Sequence, residues 1–276
     1  LIYVKNDGIF LKNRTRQSGL LFSSPSYLSP QVSNVLLPVS TYQPKTACSS
    51  CNLAEICLPV DLSEFETRKL DELSLLKRSF ARGDYLYRGG DKFRSLFAVH
   101  SGSFKTQILH EDGREQVTGF QMSGEIIGLD AISTDIHACD AVALEGSVVC
   151  ELPFSKLEAL SREIPTLQRH LHKIMGREIV RDQGIMLLLG SMRAEERLAA
   201  FLLNLSQRFA TRGLSATRFE LRMSRQEIGS YLGMKLETVS RTFSGFQSQK
   251  LIGVKVRTIE IIDLAGLQAC LNNSRR

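Results

Sequence analysis

From Phe80 to Phe154 the apolar positions come in short runs parted by polar, glycine-bearing breaks. The runs are Tyr85–Tyr87, Ser95–Val99, Phe104–Leu109, Gln116–Phe120, Ala141–Ala143 and Ser147–Leu152. The breaks are RGGD at 88–91, HSGS at 100–103, HEDG at 110–113 and SGE at 123–125. Short strands at this spacing predict an antiparallel barrel or sandwich. On either side the period lengthens. Leu62, Phe65, Leu70, Leu73 and Leu76 predict a helix over Asp61–Lys77, capped by Asp61 or Ser63. Helical structure resumes at Ser155–Leu160, and Pro165 opens a long helix with no further proline before Leu189. Ala194–Phe209 reads as another amphipathic helix, ended by TRG at 211–213.

Along the long helix Met175, Ile179, Met186 and Leu189 recur at spacings of 4, 7 and 3. The missing rung is Asp182. This pattern reads as a dimer seam with one acid in it. The plainer alternative is a stripe that packs on its own β-domain.

The stretch Met223–Ile252, MSRQEIGSYLGMKLETVSRTFSGFQSQKLI, has a different grammar. Ser224 and Glu227 form a capping box. Ile228, Tyr231 and Leu232 give the first helix a buried face, and Gly233 ends it. A second helix over Leu236–Gln249 has Leu236, Val239, Phe243 and Phe246 on its apolar face. Glu237, Ser240, Arg241 and Ser244 share the other. Two short helices joined at a glycine turn predict a helix-turn-helix. Arg241 suits bidentate contact with guanine, Glu237 accepts from cytosine, and Ser240 reaches base or methyl edges. LIGVKVRTIEII, which follows, alternates like a small wing. The alternative is an ordinary α-hairpin with a solvated outer face.

Charge strengthens the nucleic-acid reading. The chain of 276 residues has a net charge of +6, and Arg208–Arg257 holds ten Lys and Arg against three Glu. A basic C-terminal quarter is the electrostatic footprint of a nucleic-acid reader. A hydrophobic content of 43% fits a globular chain. No apolar run is long enough to span a bilayer, and no signal peptide is evident, so a cytoplasmic location is expected. No GxGxxG after a strand, Walker A or HExxH motif is present, so no enzyme is expected. The first methionine is Met122. Residues 1–46, rich in Ser, Pro, Asn and Gln, read as a disordered or doubtful extension.

Residues 47–60 contain ACSSCNLAEICLP, with Cys48, Cys51 and Cys57 inside ten positions. In a cytosolic chain such a group points to metal or catalysis rather than a disulfide. Four thiolates suit iron–sulfur or zinc alike. With no nearby histidine, the spacing departs from a paired zinc ribbon.

ETVSR at 237–241, AEERLAAFLLNLSQRFATRG at 194–213 and EQVTGF at 115–120 resemble the FNR branch of the CRP/FNR transcription regulators, over about residues 48–265. The resemblance implies an α+β architecture. A β-roll of the cyclic-nucleotide-binding type would occupy 61–164, a dimerisation helix 165–190 and a winged helix-turn-helix 191–276. It implies an oxygen-labile 4Fe-4S cluster on Cys48, Cys51, Cys57 and a distant cysteine. The matching register makes that Cys150, with Cys139 as the rival; Cys139 and Cys270 are then ordinary thiols. It further implies a homodimer when cluster-loaded, an activator's palindromic DNA site of two TTGAT-like half-sites, and contact with RNA polymerase through LHEDGRE at 109–115. The sister branch binds cyclic AMP through a glutamate after G-x-x-G and a later arginine. Here Leu129 follows Gly128, and the arginine position falls near Cys139. Between Lys105 and Lys156 the only cation is Arg114, so no cyclic nucleotide is expected. A zinc-bound or cluster-free regulator, or an iron–sulfur redox enzyme, are the alternatives.

Overall fold

The computed structural model describes residues 51, 53, 57, 62–73, 76–110 and 113–271. The predicted extension over 1–46 and Cys48 lie outside these residues. The first helix among the described residues is α1 (Glu64–Leu73). Ser63 caps it: its Oγ accepts from the Glu66 N–H at 3.3 Å, while its own N–H donates to Glu66 Oε2 at 2.8 Å. The helix predicted over Asp61–Lys77 is therefore too long at its end. Leu76 and Lys77 open strand β1 (Leu76–Phe80), where Leu76 is exposed and Lys77 buried.

Seven more strands follow: β2 (Tyr85–Tyr87), β3 (Ser95–Ser101), β4 (Ser103–Leu109), β5 (Glu115–Met122), β6 (Ile126–Ile127), β7 (Asp140–Ala143) and β8 (Ser147–Pro153). They form two four-stranded antiparallel sheets, ordered β1-β8-β3-β6 and β2-β7-β4-β5. Phe97, Val99, Phe104, Ala141, Ala143 and Val149 fill the space between them. β3 is apolar on both faces. Phe97 and Val99 point into the roll, while Leu96 belongs to a second cluster with Leu70, Leu157, Leu160, Ile164 and Leu167. Burying such side chains stabilises by about 1.5–3 kcal/mol each.

β8 runs straight into α2 (Phe154–Glu163), and Ile164 alone separates α2 from the long α3 (Pro165–Ser191). Proline at the first helical position needs no N–H partner there, so it starts α3 without cost. α4 (Ala194–Ala210) follows. β9 (Arg218–Glu220), α5 (Arg225–Leu232), α6 (Leu236–Ser248), β10 (Ile252–Lys255), β11 (Thr258–Ile261) and α7 (Leu264–Ala269) complete the described chain. β10, β11 and β9 make a three-stranded antiparallel wing. The wing and α4–α7 share one core built on Leu198, Leu202, Ile228, Leu232, Val239 and Phe246.

The roll packs on this helical part. Val117 N–H donates to Ser230 Oγ at 2.8 Å, and Ser230 Oγ donates to the Glu115 carbonyl at 3.0 Å. Arg208 grips Glu125 through both carboxylate oxygens, at 3.1 and 2.6 Å, and Arg212 joins at 2.6 Å. Burial pushes the Glu125 carboxyl up, but the two guanidiniums outweigh it and hold it below its ordinary value. No helix among the described residues is long and apolar enough to cross a membrane.

Candidate functional site

Side chains at alternate strand positions share a face. Cys150 and Leu152 of β8 therefore lie on one side with Leu96 and Ala98 of β3, where Ala98 stands opposite Cys150. Together they form the floor of a cavity of about 70 Å³. Cys51, Leu53 and Cys57 reach it from the cysteine segment, and α3 closes it with Leu167, His170, Leu171 and Ile174. The Cys57 N–H donates to the Leu53 carbonyl at 2.8 Å. Cys57 is held to α3, where His170 Nε2 lies 3.1 Å from its carbonyl. Burial lowers the His170 pKa, which favours a neutral ring donating that bond.

His100 extends from the bulge in β3 that lies between Val99 and Ser101. Its Nδ1 is 3.7 Å from Cys51 Sγ, and its Nε2 is 3.3 Å from Lys77 Nζ. Burial, then the Lys77 charge, lowers the His100 pKa. A neutral imidazole accepting from the ammonium at Nε2 carries its proton on Nδ1, aimed at the Cys51 sulfur. Spacing along the chain held no signal for Lys77, His100 or His170, because each belongs to a different element from the cysteines.

Three of the four cysteines predicted as ligands, Cys51, Cys57 and Cys150, thus surround one cavity; Cys48 lies outside the described residues. Among the described residues no three His, Cys, Asp or Glu converge closely enough to hold a metal ion. The donor chemistry nevertheless fits an iron–sulfur group, with thiols against aliphatic walls and no carboxylate in the described lining. Cys139 lies elsewhere, in a cavity of about 440 Å³ between the roll and α3. Burial, with Asp130 nearby, pushes its thiol up to about 12, so it stays protonated. The described lining of this second cavity includes the carboxylates of Asp130, Glu178 and Asp182 and one cation, Arg181, which pairs with Glu178.

On α3, Ile179 and Met186 are 58% and 65% exposed, and Asp182 between them is exposed too. Met175 is half-buried and borders the second cavity. Leu189, the last predicted seam position, packs instead on the core of the helical part. The open stripe is therefore centred on Asp182.

In the helix-turn-helix, Ser224 Oγ accepts from the Glu227 N–H at 3.1 Å, and the Ser224 N–H donates to Glu227 Oε2 at 2.7 Å. Gly233 ends α5 at φ 62°, ψ 39°, a left-handed conformation that favours glycine. Gly229 allows the turn to close: a Cβ there would come 2.5 Å from the Met234 carbonyl oxygen. α6 buries Val239, Phe243 and Phe246. Leu236, expected on that buried face, is 45% exposed, and Thr242 is buried in its place. Position 236 is the first residue of the helix, ahead of where α6 meets its neighbours. Glu237, Ser240, Arg241 and Ser244 all lie exposed on the outer face. Arg225, whose role was not evident from spacing, lies with its guanidinium 3.1 Å from the Phe243 ring centroid.

Comparison with known proteins agrees with this architecture. Residues 196–270 match the Crp-like helix-turn-helix domain, and residues 77–163 match the cyclic nucleotide-binding domain. The chain is 45% identical over 227 residues to the transcriptional activator protein Anr of Pseudomonas protegens, covering 82% of this chain and 93% of that one. It is 42% identical over 228 residues to the fumarate and nitrate reduction regulatory protein of Salmonella typhimurium, covering 83% and 91%. The solved structure of FixK2 from Bradyrhizobium japonicum superposes with a TM-score of 0.66 at 30% identity, covering 70% of this chain and 96% of that one.

Proposed function

The chain belongs to the CRP/FNR superfamily as a DNA-binding transcription regulator of the FNR type, and from that premise we propose that it is an oxygen-responsive activator controlled by a 4Fe-4S cluster. The observation that carries this reading is the single apolar cavity shared by Cys51, Cys57 and Cys150. Cys48, three positions before Cys51 in the sequence, would complete a four-thiolate set. Bound there, the cluster supplies an oxygen-sensitive centre. Zinc is the alternative occupant, since a four-thiolate set suits it too; likeness to regulators of the FNR type favours iron–sulfur. Cys139 is an ordinary thiol in this scheme.

The same cavity explains how the signal travels. Leu167, His170, Leu171 and Ile174 of α3 form its wall, so ligand binding by the cysteine segment bears on the dimerisation helix. The seam of Met175, Ile179, Asp182 and Met186 closes in the cluster-loaded homodimer, with Leu189 anchored in its own chain's core. Two facing Asp182 carboxylates oppose that closure when the cluster is gone. The dimer offers two recognition helices to a palindromic site of TTGAT-like half-sites. Glu237, Ser240 and Arg241 read its bases. The hairpin at 109–115, whose described residues Leu109, His110 and Arg114 are exposed, contacts RNA polymerase. Cyclic nucleotide is not the effector. A cyclic phosphate in the second cavity would meet three carboxylates and an arginine already engaged by Glu178. The site of action is the cytoplasm, with chromosomal DNA.

The test is to purify the protein without oxygen, record its visible spectrum, then admit air while following DNA binding. A brown protein whose colour bleaches as binding falls supports the reading. A colourless protein holding zinc overturns it.

A further inference from the structure

The turn between β10 and β11 is tight. Lys255 stands opposite Thr258 in the ladder, so Val256 and Arg257 alone make the reversal. Val256 takes φ 57° there. Two-residue hairpins call for such a left-handed backbone and meet the need with glycine, asparagine or aspartate. For a β-branched residue it is an outlier, because the branches on Cβ crowd the backbone. Nothing inside the fold offsets this strain. Val256 is 92% exposed, the most open large apolar side chain among the described residues. Strain held where a side chain packs on almost nothing of its own chain points to a use outside it.

The flanking charges say what that use is. Within Arg208–Arg257, Arg208 and Arg212 are taken up by Glu125, and Arg222 by Glu145 and Glu220. Lys255 and Arg257, on either side of Val256, are exposed and make no ion pair among the described residues. The tip is also continuous with the helix-turn-helix. The Leu221 N–H donates to the Arg257 carbonyl at 2.8 Å, just ahead of Ser224, the cap of α5. An aliphatic knob between two free cations matches a sugar–phosphate backbone, with the cations on phosphates and the knob on deoxyribose. We infer that Lys255, Val256 and Arg257 form a second DNA contact, which grips the backbone outside the bases read by α6. The inference rests on the base-reading assignment of α6. Contacts of this kind add affinity and fix register without adding sequence preference.

The test measures fluorescence anisotropy of full-length protein, prepared without oxygen, on two duplexes that carry the same palindromic TTGAT-type site. One duplex ends at the half-sites; the other runs on by about ten base pairs, one helical turn, at each side. Val256→Gly should bind the extended duplex roughly threefold or more weakly than the parent. Its melting temperature should not fall, since glycine adopts the turn freely. Lys255→Gln and Arg257→Gln should weaken the same complex, and each should lower the slope of log affinity against log salt by about one. On the short duplex the parent and the variants should bind alike. Variants that match the parent on the extended duplex, or that lose equally on both, overturn the inference while leaving the α6 assignment intact. A parent that binds the palindrome no better than a scrambled duplex of the same length overturns the α6 assignment itself.

Discussion

Lys105 Nζ lies 2.9 Å from Glu227 Oε1, joining β4 of the roll to the start of α5 in the helix-turn-helix. The other oxygen of the same carboxylate receives the Ser224 N–H. One side chain therefore both caps the first helix of the helix-turn-helix and ties it to the β-roll.

This double use gives the contact an acid limit. Burial pushes the Glu227 carboxyl up, but the Ser224 N–H and Lys105 outweigh it and lower its pKa below 4.5. A depressed carboxyl adds stability that is fully present above its unfolded value and is lost as pH falls through its lower folded value. The loss should therefore begin below pH 4.5, together with that of Glu125. Lys105→Met should cost about 1–3 kcal/mol at neutral pH, between the ranges for exposed and buried pairs. It should also flatten the acid slope, since Glu227 loses one of the partners that favour its charge. Thermal melts across pH 3–7, at about unit intervals, read both effects; a parallel acid slope in the variant counts against the pairing.

The two candidate distant cysteines separate cleanly by substitution. Cys150→Ala should abolish the brown visible absorption of anaerobic protein and its iron content. Cys139→Ala should keep both, because its thiol lines a different cavity. Loss of iron in Cys139→Ala alone would reverse the assignment.

Asp182 is exposed between the exposed Ile179 and Met186. If Asp182 sits in the proposed seam, its removal should tighten dimerisation in air by roughly tenfold or more. Analytical ultracentrifugation of Asp182→Ala reads this directly. An unchanged dimer constant would show that the stripe is not the seam.

Arg241→Ala should weaken binding to a palindromic TTGAT-type duplex by about 1–3 kcal/mol and relax selectivity at the guanine assigned to it in the proposed function. Binding to a scrambled duplex should change far less, since phosphate contacts supply that affinity. Fluorescence anisotropy on the two duplexes at one salt concentration distinguishes the outcomes; equal losses on both would assign Arg241 to the backbone.

The elements that could be read from sequence were those with local rules. Ser224, Glu227 and Gly233 mark α5 because capping and the left-handed turn involve residues within a few positions. β1 and β6 escaped for opposite reasons. In β1 the polar and apolar positions are inverted, with Lys77 inside and Leu76 outside. β6 has only two residues, Ile126 and Ile127, too few for a period. Leu189 kept the spacing of the seam but packs on its own chain, since a stripe along one helix does not say what covers it. The cysteine spacing was plain, but the neighbours of the thiols were not. His100, His170 and Lys77 come from two strands and a helix, and only the fold brings them to the cavity. The same holds for Lys105 and Glu227.

Between Cys150 and the open face of α3 the chain has almost no slack. β8 ends at Pro153, α2 begins at Phe154, and Ile164 is the sole joint before Pro165 starts α3. In the proposed switch this connection would act as a crank rather than a tether: a tilt of the strand at Cys150 would meet no loop before α3 and would turn the helix that carries Asp182.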